Sequence, residues 1–153
     1  MAPLPAATDR LSMYYYHATP KRNLESIGRH GLLSGRRVLE LNVGKLTTGQ
    51  ADGAIYIHVS DTIDKCVKWF REIVITTATG IHFSDYGYLW HIIRIDPSDC
   101  GVDVIRDPQS KTGLALKTDC ISPNYLNYRF GEDYQPDEPD EICGVKVWKT
   151  FNP

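Results

Sequence analysis

The sequence predicts one α+β domain with a mixed or antiparallel sheet and short helices near its start. Segments with helical periodicity lie in the first half of the chain, whereas short β-type segments bounded by Gly, Pro, Asn and Asp dominate the second half. A length of 153 residues and a hydrophobic fraction of 42% are typical of a single core. We therefore expect a flexible leader over residues 1–12 and one domain over residues 13–153.

The charge balance does not single out a class of partner. Seventeen basic and nineteen acidic residues give a net charge of -2, and like charges form no long run. One early segment does concentrate basic side chains, namely Lys21, Arg22, Arg29, Arg36 and Arg37. This group fits either a rim for a phosphate-bearing ligand or a solvated helix face.

Cysteine spacing and hydropathy favour a cytoplasmic protein with no membrane partner. The four cysteines are irregularly spaced and include no C-x-x-C pair, which favours free thiols over a structural metal site. The first ten residues lack the basic start and apolar run of a secretory signal, and no stretch reaches the length of a membrane span. Export by a leaderless route stays open, as does the oligomeric state.

The first unit predicts a strand followed directly by a helix. Residues 13–17 are rich in aromatic residues of high β propensity. Thr19 suits the N-cap of the helix, Pro20 its first position and Gly31 a left-handed stop. We expect His17 to lie beside the unpaired amides of this helix, where an anionic or hydroxyl-rich ligand can bind. A packed histidine is the alternative.

Composition and periodicity predict the remaining elements. Residues 36–52 lack a period and are expected to form a loop or mobile flap. A strand at 54–59 precedes a helix capped by Ser60 or Asp61, whose apolar residues recur at intervals of three and four. A solvated acidic loop is expected at 131–141. Further strands are predicted over residues 88–95, 102–105, 114–116, 125–130 and 145–149.

Three short patterns in the first unit carry a resemblance to a known family. The chain has Y-H-A-T at residues 16–19, N-L-E-S-I at 23–27 and G-L at 31–32. These resemble the opening motif of the ADP-ribosyltransferase superfamily, which includes poly-ADP-ribose-polymerase-like enzymes, DNA-modifying toxins and RNA 2'-phosphotransferases. The resemblance implies that His17 hydrogen-bonds the ribose of NAD, that backbone at Ala18 holds the nicotinamide amide, and that Thr19 caps the helix and contacts the ligand.

Two later segments extend the resemblance. G-A-I-Y-I-H-V-S at residues 53–60 is similar to the second motif of the superfamily, which implies that Tyr56 lines the nicotinamide pocket. Trp69 on the next helix is then the candidate for stacking on the nicotinamide ring, with packing on the sheet as the alternative. The segment 110–126 resembles the closing element of the family. Many members carry a catalytic glutamate at about the position of Thr112, and this chain has none there.

Details of that closing segment compare with one branch of the family. RNA 2'-phosphotransferases carry Ser followed by Asn-Gly there, which compares with Ser110, Thr112 and Gly113. The resemblance implies that Arg71 stands at the position of one of their phosphate-binding arginines, with an ordinary surface arginine as the alternative. Their separate N-terminal winged-helix part, with the arginine it contributes, has no counterpart in this sequence.

The resemblance implies an NAD-dependent ADP-ribosyltransferase that acts on a nucleic acid or protein acceptor, with NAD as co-substrate and no metal. Two alternatives remain open: an RNA 2'-phosphotransferase-like enzyme that consumes NAD, and an inactive module that binds NAD, ADP-ribose or a protein. A toxin-like role rests only on analogy with other proteins of this fold. The expected catalytic residues are His17, Tyr56, Arg71, Ser110 and Thr112. The expected NAD-binding residues are His17, Ala18, Thr19, Tyr56 and Trp69.

Overall fold

The computed structural model describes residues 13–41, 55–70, 90–108, 113–131, 141–142 and 145–151. Over these ranges the chain is a mixed α+β protein with antiparallel sheets and short helices, which confirms the predicted class. The expected leader at residues 1–12 lies outside the described residues. Within the described ranges, no helix has the length and apolar character needed to cross a membrane.

The elements alternate irregularly along the chain. The helices are α1 (Leu24–His30), α2 (Gly35–Leu41), α3 (Ile63–Phe70) and α4 (Pro97–Cys100), with 3-10 turns at Lys21–Asn23 and Pro123–Tyr125. The first strands are β1 (Tyr15–Pro20), β2 (Leu32–Leu33), β3 (Ile57–Val59), β4 (Trp90–Ile95), β5 (Val104–Arg106) and β6 (Leu114–Leu116). The later strands are β7 (Cys120–Ile121), β8 (Leu126–Phe130), β9 (Glu141–Ile142), β10 (Val145–Lys146) and β11 (Lys149–Thr150).

Two larger sheets organise the described part of the chain. One has the order β1-β4-β8-β11 and the other the order β3-β6-β5, and every described strand pair is antiparallel. β2 pairs with β7, and β9 with β10, as two-stranded ribbons. Because β4 lies between two partners and is covered on both faces, its sequence is a nearly continuous apolar run.

The core lies on both faces of β4. Ile93 and Ile95 belong to one buried cluster, whereas Trp90 and Ile92 belong to another, because alternate side chains of a strand point to opposite faces. The second cluster also contains Cys66 from α3. Burial of each large apolar side chain contributes about 1.5–3 kcal/mol, so α3 is fixed against the sheet by its apolar face.

The start of the first helix differs from the prediction. β1 continues to Pro20, a 3-10 turn follows, and Asn23 occupies the N-cap position of α1. The prediction that Thr19 caps this helix is therefore wrong. Thr19 lies in register with His91 of β4 and is only 2% exposed, so strand pairing and burial prevail over its local preference for a cap. The predicted stop at Gly31 is confirmed as a residue with φ of +88°.

A helix stands where the sequence predicts the start of a loop. α2 covers residues 35–41, so the predicted loop at 36–52 is wrong for its first part, and residues 42–52 lie outside the described ranges. Ser34 explains the helix, since its carbonyl oxygen accepts from Val38 N at 3.0 Å and its hydroxyl from Arg37 N at 3.3 Å. A buried serine thus acts as the cap that the periodicity does not reveal.

α3 forms as predicted but begins at another cap. Thr62 Oγ1 accepts a hydrogen bond from Lys65 N at 3.1 Å, so Thr62 caps α3 rather than Ser60 or Asp61. Ser60 is not available for this role because its backbone pairs with Tyr16. Cys66 and Val67 are buried as the periodicity requires.

The late strands are shorter than predicted. The strand expected at 102–105 begins at Val104, and the one expected at 145–149 divides into β10 and β11, which pair with different partners. The loop predicted at 131–141 has Glu141 as the first residue of β9, and residues 132–140 lie outside the described part.

Candidate functional site

A cleft of about 420 Å³, including the solvent at its mouth, opens where β1 approaches β3. The residues around it that carry polar or aromatic groups include Tyr16, His17, His58, Trp69 and Asp107. They come from β1, β3, α3 and the turn after β5. The cleft therefore lies where the two larger sheets meet.

Among the described residues, one backbone pair joins the two sheets beside the cleft. Tyr16 N donates to Ser60 O and Ser60 N donates to Tyr16 O, each at 2.8 Å. In a continuing antiparallel ladder Ala18 would pair with His58 next. Both residues instead line the cleft, so the gap begins where the ladder stops.

The backbone of Ala18 faces this gap. Tyr16 directs its N–H and C=O toward Ser60, and residues two apart in a strand direct these groups to the same side. The N–H and C=O of Ala18 therefore point toward the cleft. Ala18 is only 2% exposed, so these groups would meet a ligand in a partly dehydrated place.

His17 presents a hydrogen-bond acceptor to the cleft. Its Nδ1 lies 2.7 Å from the carbonyl oxygen of His58. Because a carbonyl oxygen only accepts, Nδ1 carries the proton and Nε2 of the neutral ring keeps its lone pair. Burial lowers the pKa of His17 to about 4, so the ring is neutral at physiological pH. The ring is thus bound to β3, and the expected imidazole donor beside the helix amides is replaced by an acceptor suited to hydroxyl groups.

This lowered pKa predicts a pH dependence of stability. Between about pH 6.5 and pH 4 the unfolded chain binds a proton at His17 that the folded chain does not. The free energy of unfolding is therefore expected to fall as the pH is lowered through this window. Urea titrations of the wild type and His17→Ala at several pH values measure it, and the variant should lose less stability. An identical pH dependence in the two proteins would contradict the assignment.

A second imidazole, which the sequence analysis does not single out, also lines the cleft. His58 Nδ1 is hydrogen-bonded to Asp107 Oδ2, and both side chains are largely buried. Nε2 of His58 is buried and has no hydrogen-bond partner among the described residues. The strand pattern I-Y-I-H-V could have identified His58 as a candidate. Tyr56 and His58 lie two positions apart in it and therefore on the same side of β3.

Tyr56 lies behind His58, whose ring separates it from the cleft. It is buried with Ala115, the partly buried Ile105 packs against this pair, and the Tyr56 ring meets the His58 ring edge-on at 5.2 Å between centroids. Burial raises the pKa of the Tyr56 hydroxyl. Tyr56 is not among the residues that line this cleft, so the expected direct role in a ligand pocket is not met there. Its contact with the site is through His58.

The other predicted binding residues divide into two groups. Trp69 packs against the buried cluster around Trp90, which is the packing alternative considered for it, and it also lines the cleft. Thr19 is buried in β1 and is not among the lining residues. Arg71, Ser110 and Thr112 lie outside the described residues. The structure thus brings together His17, Ala18 and Trp69.

One side of the cleft continues into an aromatic and cationic cluster. The ring of Tyr16 stacks on Trp148 at 6.2 Å between centroids. The guanidinium carbons of Arg94 and Arg129 lie 4.5 and 4.9 Å from the centre of the Trp148 ring. Arginines held on an indole present planar donors that suit phosphate oxygens. This cluster is a cationic neighbour of the cleft that composition alone did not reveal.

Three of the five basic residues predicted as a possible rim form ion pairs with acidic side chains. Arg29 pairs with Glu25 at 2.7 Å, and Arg37 pairs with Glu40 at 2.7 Å, along their own helices. Arg36 forms an ion pair with Asp119. These pairs favour the solvated helix face, which was the alternative for this segment.

Cys66 is a packing residue of the cleft wall. It is 2% exposed, and burial raises the pKa of its thiol to about 12. A thiol with that pKa is protonated at physiological pH and is a poor nucleophile. In the part of the chain that the structure describes, no group of three His, Cys, Asp or Glu residues is placed to hold a metal ion. The described side chains that bring polar groups to the cleft include those of Tyr16, His17, His58, Ser60 and Asp107.

Comparisons with known proteins add no assignment to this geometry. A scan against models of protein families and a search of curated proteins both found no match to this chain.

Proposed function

We propose that this protein is an NAD-dependent ADP-ribosyltransferase with the fold of that superfamily, acting on a nucleic acid or protein acceptor. The observation that carries the proposal is the meeting of His17, the backbone edge of Ala18 and Trp69 in one cleft. Each of these was expected at the nicotinamide end of NAD from the sequence motifs. Their spatial proximity is independent of those motifs and supports the same ligand.

The nicotinamide group fits the backbone edge of β1. A carboxamide carries one acceptor and two donors, and the N–H and C=O of Ala18 offer the complementary pair. Two such hydrogen bonds contribute roughly 0.5–1.5 kcal/mol each. In the proposed complex the ring of Trp69, which lines the cleft, stacks on the flat, cationic pyridinium and adds about 0.5–2 kcal/mol. Together they orient the leaving group.

In the proposed complex, the ribose and the phosphates of NAD lie next to the nicotinamide group. Nε2 of the neutral His17 ring accepts a hydrogen bond from a ribose hydroxyl, because its other nitrogen is occupied by the carbonyl of His58. Arg94 and Arg129, which lie on the Trp148 ring next to Tyr16, offer positive charge to the pyrophosphate. This arrangement fixes the ribose between its two substituents.

The proposed reaction is substitution at the ribose carbon. The bond between ribose C1' and the pyridinium nitrogen breaks, both bonding electrons move to that nitrogen, and neutral nicotinamide leaves. An acceptor oxygen or nitrogen forms the new bond to C1' and releases its proton to water. Holding the ribose and the leaving group in one orientation lowers the barrier chiefly by positioning.

Release of nicotinamide tests the proposal directly. The purified chain incubated with nicotinamide-labelled NAD, and with single-stranded DNA, RNA or protein acceptors, is expected to release label and to attach ADP-ribose to one acceptor class. A 2'-phosphorylated RNA oligonucleotide in a parallel reaction examines the phosphotransferase alternative, since only that route yields a cyclic ADP-ribose phosphate. Binding of NAD without any release would instead favour the inactive binding module. Absence of both binding and release would refute NAD as the ligand.

A further inference from the structure

Asp107 is the carboxylate of the cleft. Among the described residues that line it, Asp107 alone has an acidic side chain. Its backbone N donates to Gly113 O at 3.0 Å, and Gly113 also lines the cleft. The turn that carries Asp107 is therefore tied to the start of β6.

This carboxylate is buried and held in place. The side chain of Asp107 is 7% exposed, and its Oδ2 is hydrogen-bonded to Nδ1 of His58. A buried carboxylate is costly unless it is hydrogen-bonded, and the imidazole provides that partner. A charge kept in a partly dehydrated cleft acts more strongly on a nearby ligand than the same charge in water.

Cleavage of a glycosidic bond develops positive charge on the sugar ring. Preorganised groups of opposite charge stabilise such a transition state without having to reorient. Rupture of the bond between nicotinamide and ribose, as in the proposed function, also generates such a cation. The cleft contains a buried carboxylate that is hydrogen-bonded to His58, and His17, the proposed partner of the ribose, lines the same cleft.

We propose that Asp107 supplies the negative charge that stabilises the cationic ribosyl transition state, and that His58 is the positioning residue that orients this carboxylate. This inference rests on the proposed function. The stabilising negative charge then comes from the turn after β5. The buried hydrogen bond between His58 and Asp107 holds the carboxylate in its orientation.

The variant Asp107→Asn separates charge from hydrogen bonding. Asparagine has the same shape and retains an oxygen that accepts from His58, but it removes one negative charge. We expect kcat for nicotinamide release to fall about 100-fold, with KM for NAD changed less than about threefold. Asp119→Asn is the matched control, since Asp119 accepts from Ser34 Oγ at 2.6 Å and pairs with Arg36 away from the cleft. This control should keep wild-type kcat.

The outcomes distinguish the two proposals. A wild type that releases nicotinamide, together with an Asp107→Asn variant whose kcat stays within about threefold of the wild type, overturns the role of Asp107 and leaves the function intact. A wild type that neither binds nor cleaves NAD overturns both.

A binding measurement on the wild type removes any dependence on the folding of the variant. An ADP-ribose analogue whose terminal ribose ring is replaced by a protonated pyrrolidine mimics the cationic ribosyl transition state. We expect it to bind at least about tenfold more tightly than ADP-ribose itself in calorimetry. Equal affinities would overturn the inference.

Discussion

Replacement of His17 by alanine is expected to lower kcat/KM for NAD about 100-fold, which corresponds to about 2.7 kcal/mol. The loss has two physical sources. The ribose hydroxyl loses its acceptor at Nε2, and the carbonyl of His58 loses the donor that now lies 2.7 Å away. Nicotinamide release at several NAD concentrations gives the value, and calorimetric binding of NAD gives the part that belongs to affinity.

A second histidine provides the matched control for this experiment. His30, the last residue of α1, is exposed and does not line the cleft. His30→Ala should therefore retain wild-type kcat/KM within about twofold, because surface substitutions away from special features have small effects. The assignment of His17 to the ligand fails if the two variants lose the same amount, or if His17→Ala binds and cleaves NAD as the wild type does.

Gly31→Ala is expected to lower the free energy of unfolding by about 3 kcal/mol. Gly31 has φ of +88°, a conformation that residues with a side chain adopt only with strain. A Cβ at this position would also lie 2.3 Å from the carbonyl oxygen of Ile121, which is backbone and cannot rotate away. Because Leu32 pairs with Ile121, any shift that relieves the clash disturbs the β2–β7 ribbon. Urea unfolding followed by circular dichroism measures the change.

Gly101→Ala is a comparison variant with a positive φ and no clash. Gly101 follows α4 with φ of +69° and ψ of 29°, and a Cβ there would meet no atom within 4 Å. Its replacement should cost only the strain of the left-handed conformation, about 1 kcal/mol. Gly31 has ψ of 177°, a conformation almost restricted to glycine, and it also has the clash, so its alanine variant should lose more. Equal destabilisation of the two variants would show that neither feature of Gly31 has energetic weight.

Some of the site could be predicted because it lies in one local unit. His17 and Ala18 share a strand, and Trp69 was singled out by the resemblance as an aromatic residue on the helix that follows the second motif. Local pattern therefore located three of the groups that meet in the cleft. It did not locate the pair of His58 and Asp107, because residues 49 positions apart are joined by the pairing of β3, β6 and β5, which no short segment encodes.

The errors in the fold have a related cause. Thr19 has the chemistry of a cap, yet the pairing of β1 with β4 extends through it, so a non-local interaction decides its role. The motif placed Tyr56 in the pocket, whereas His58, two residues later, lines the described cleft with the Tyr56 ring packed against its own. Sequence patterns specify the faces of strands and leave the extent of their pairing open.

The orientation of Ala18 limits what evolution or an engineer can change at this site. Recognition by main-chain atoms depends on the path of the strand and not on the identity of the side chain, so residue 18 is constrained chiefly by volume, since it is 2% exposed. A glycine there would keep the same two polar groups, whereas a valine or leucine would meet the neighbouring helix first. If the proposed function holds, binding of a flat amide at this edge requires a side chain as small as that of alanine at residue 18.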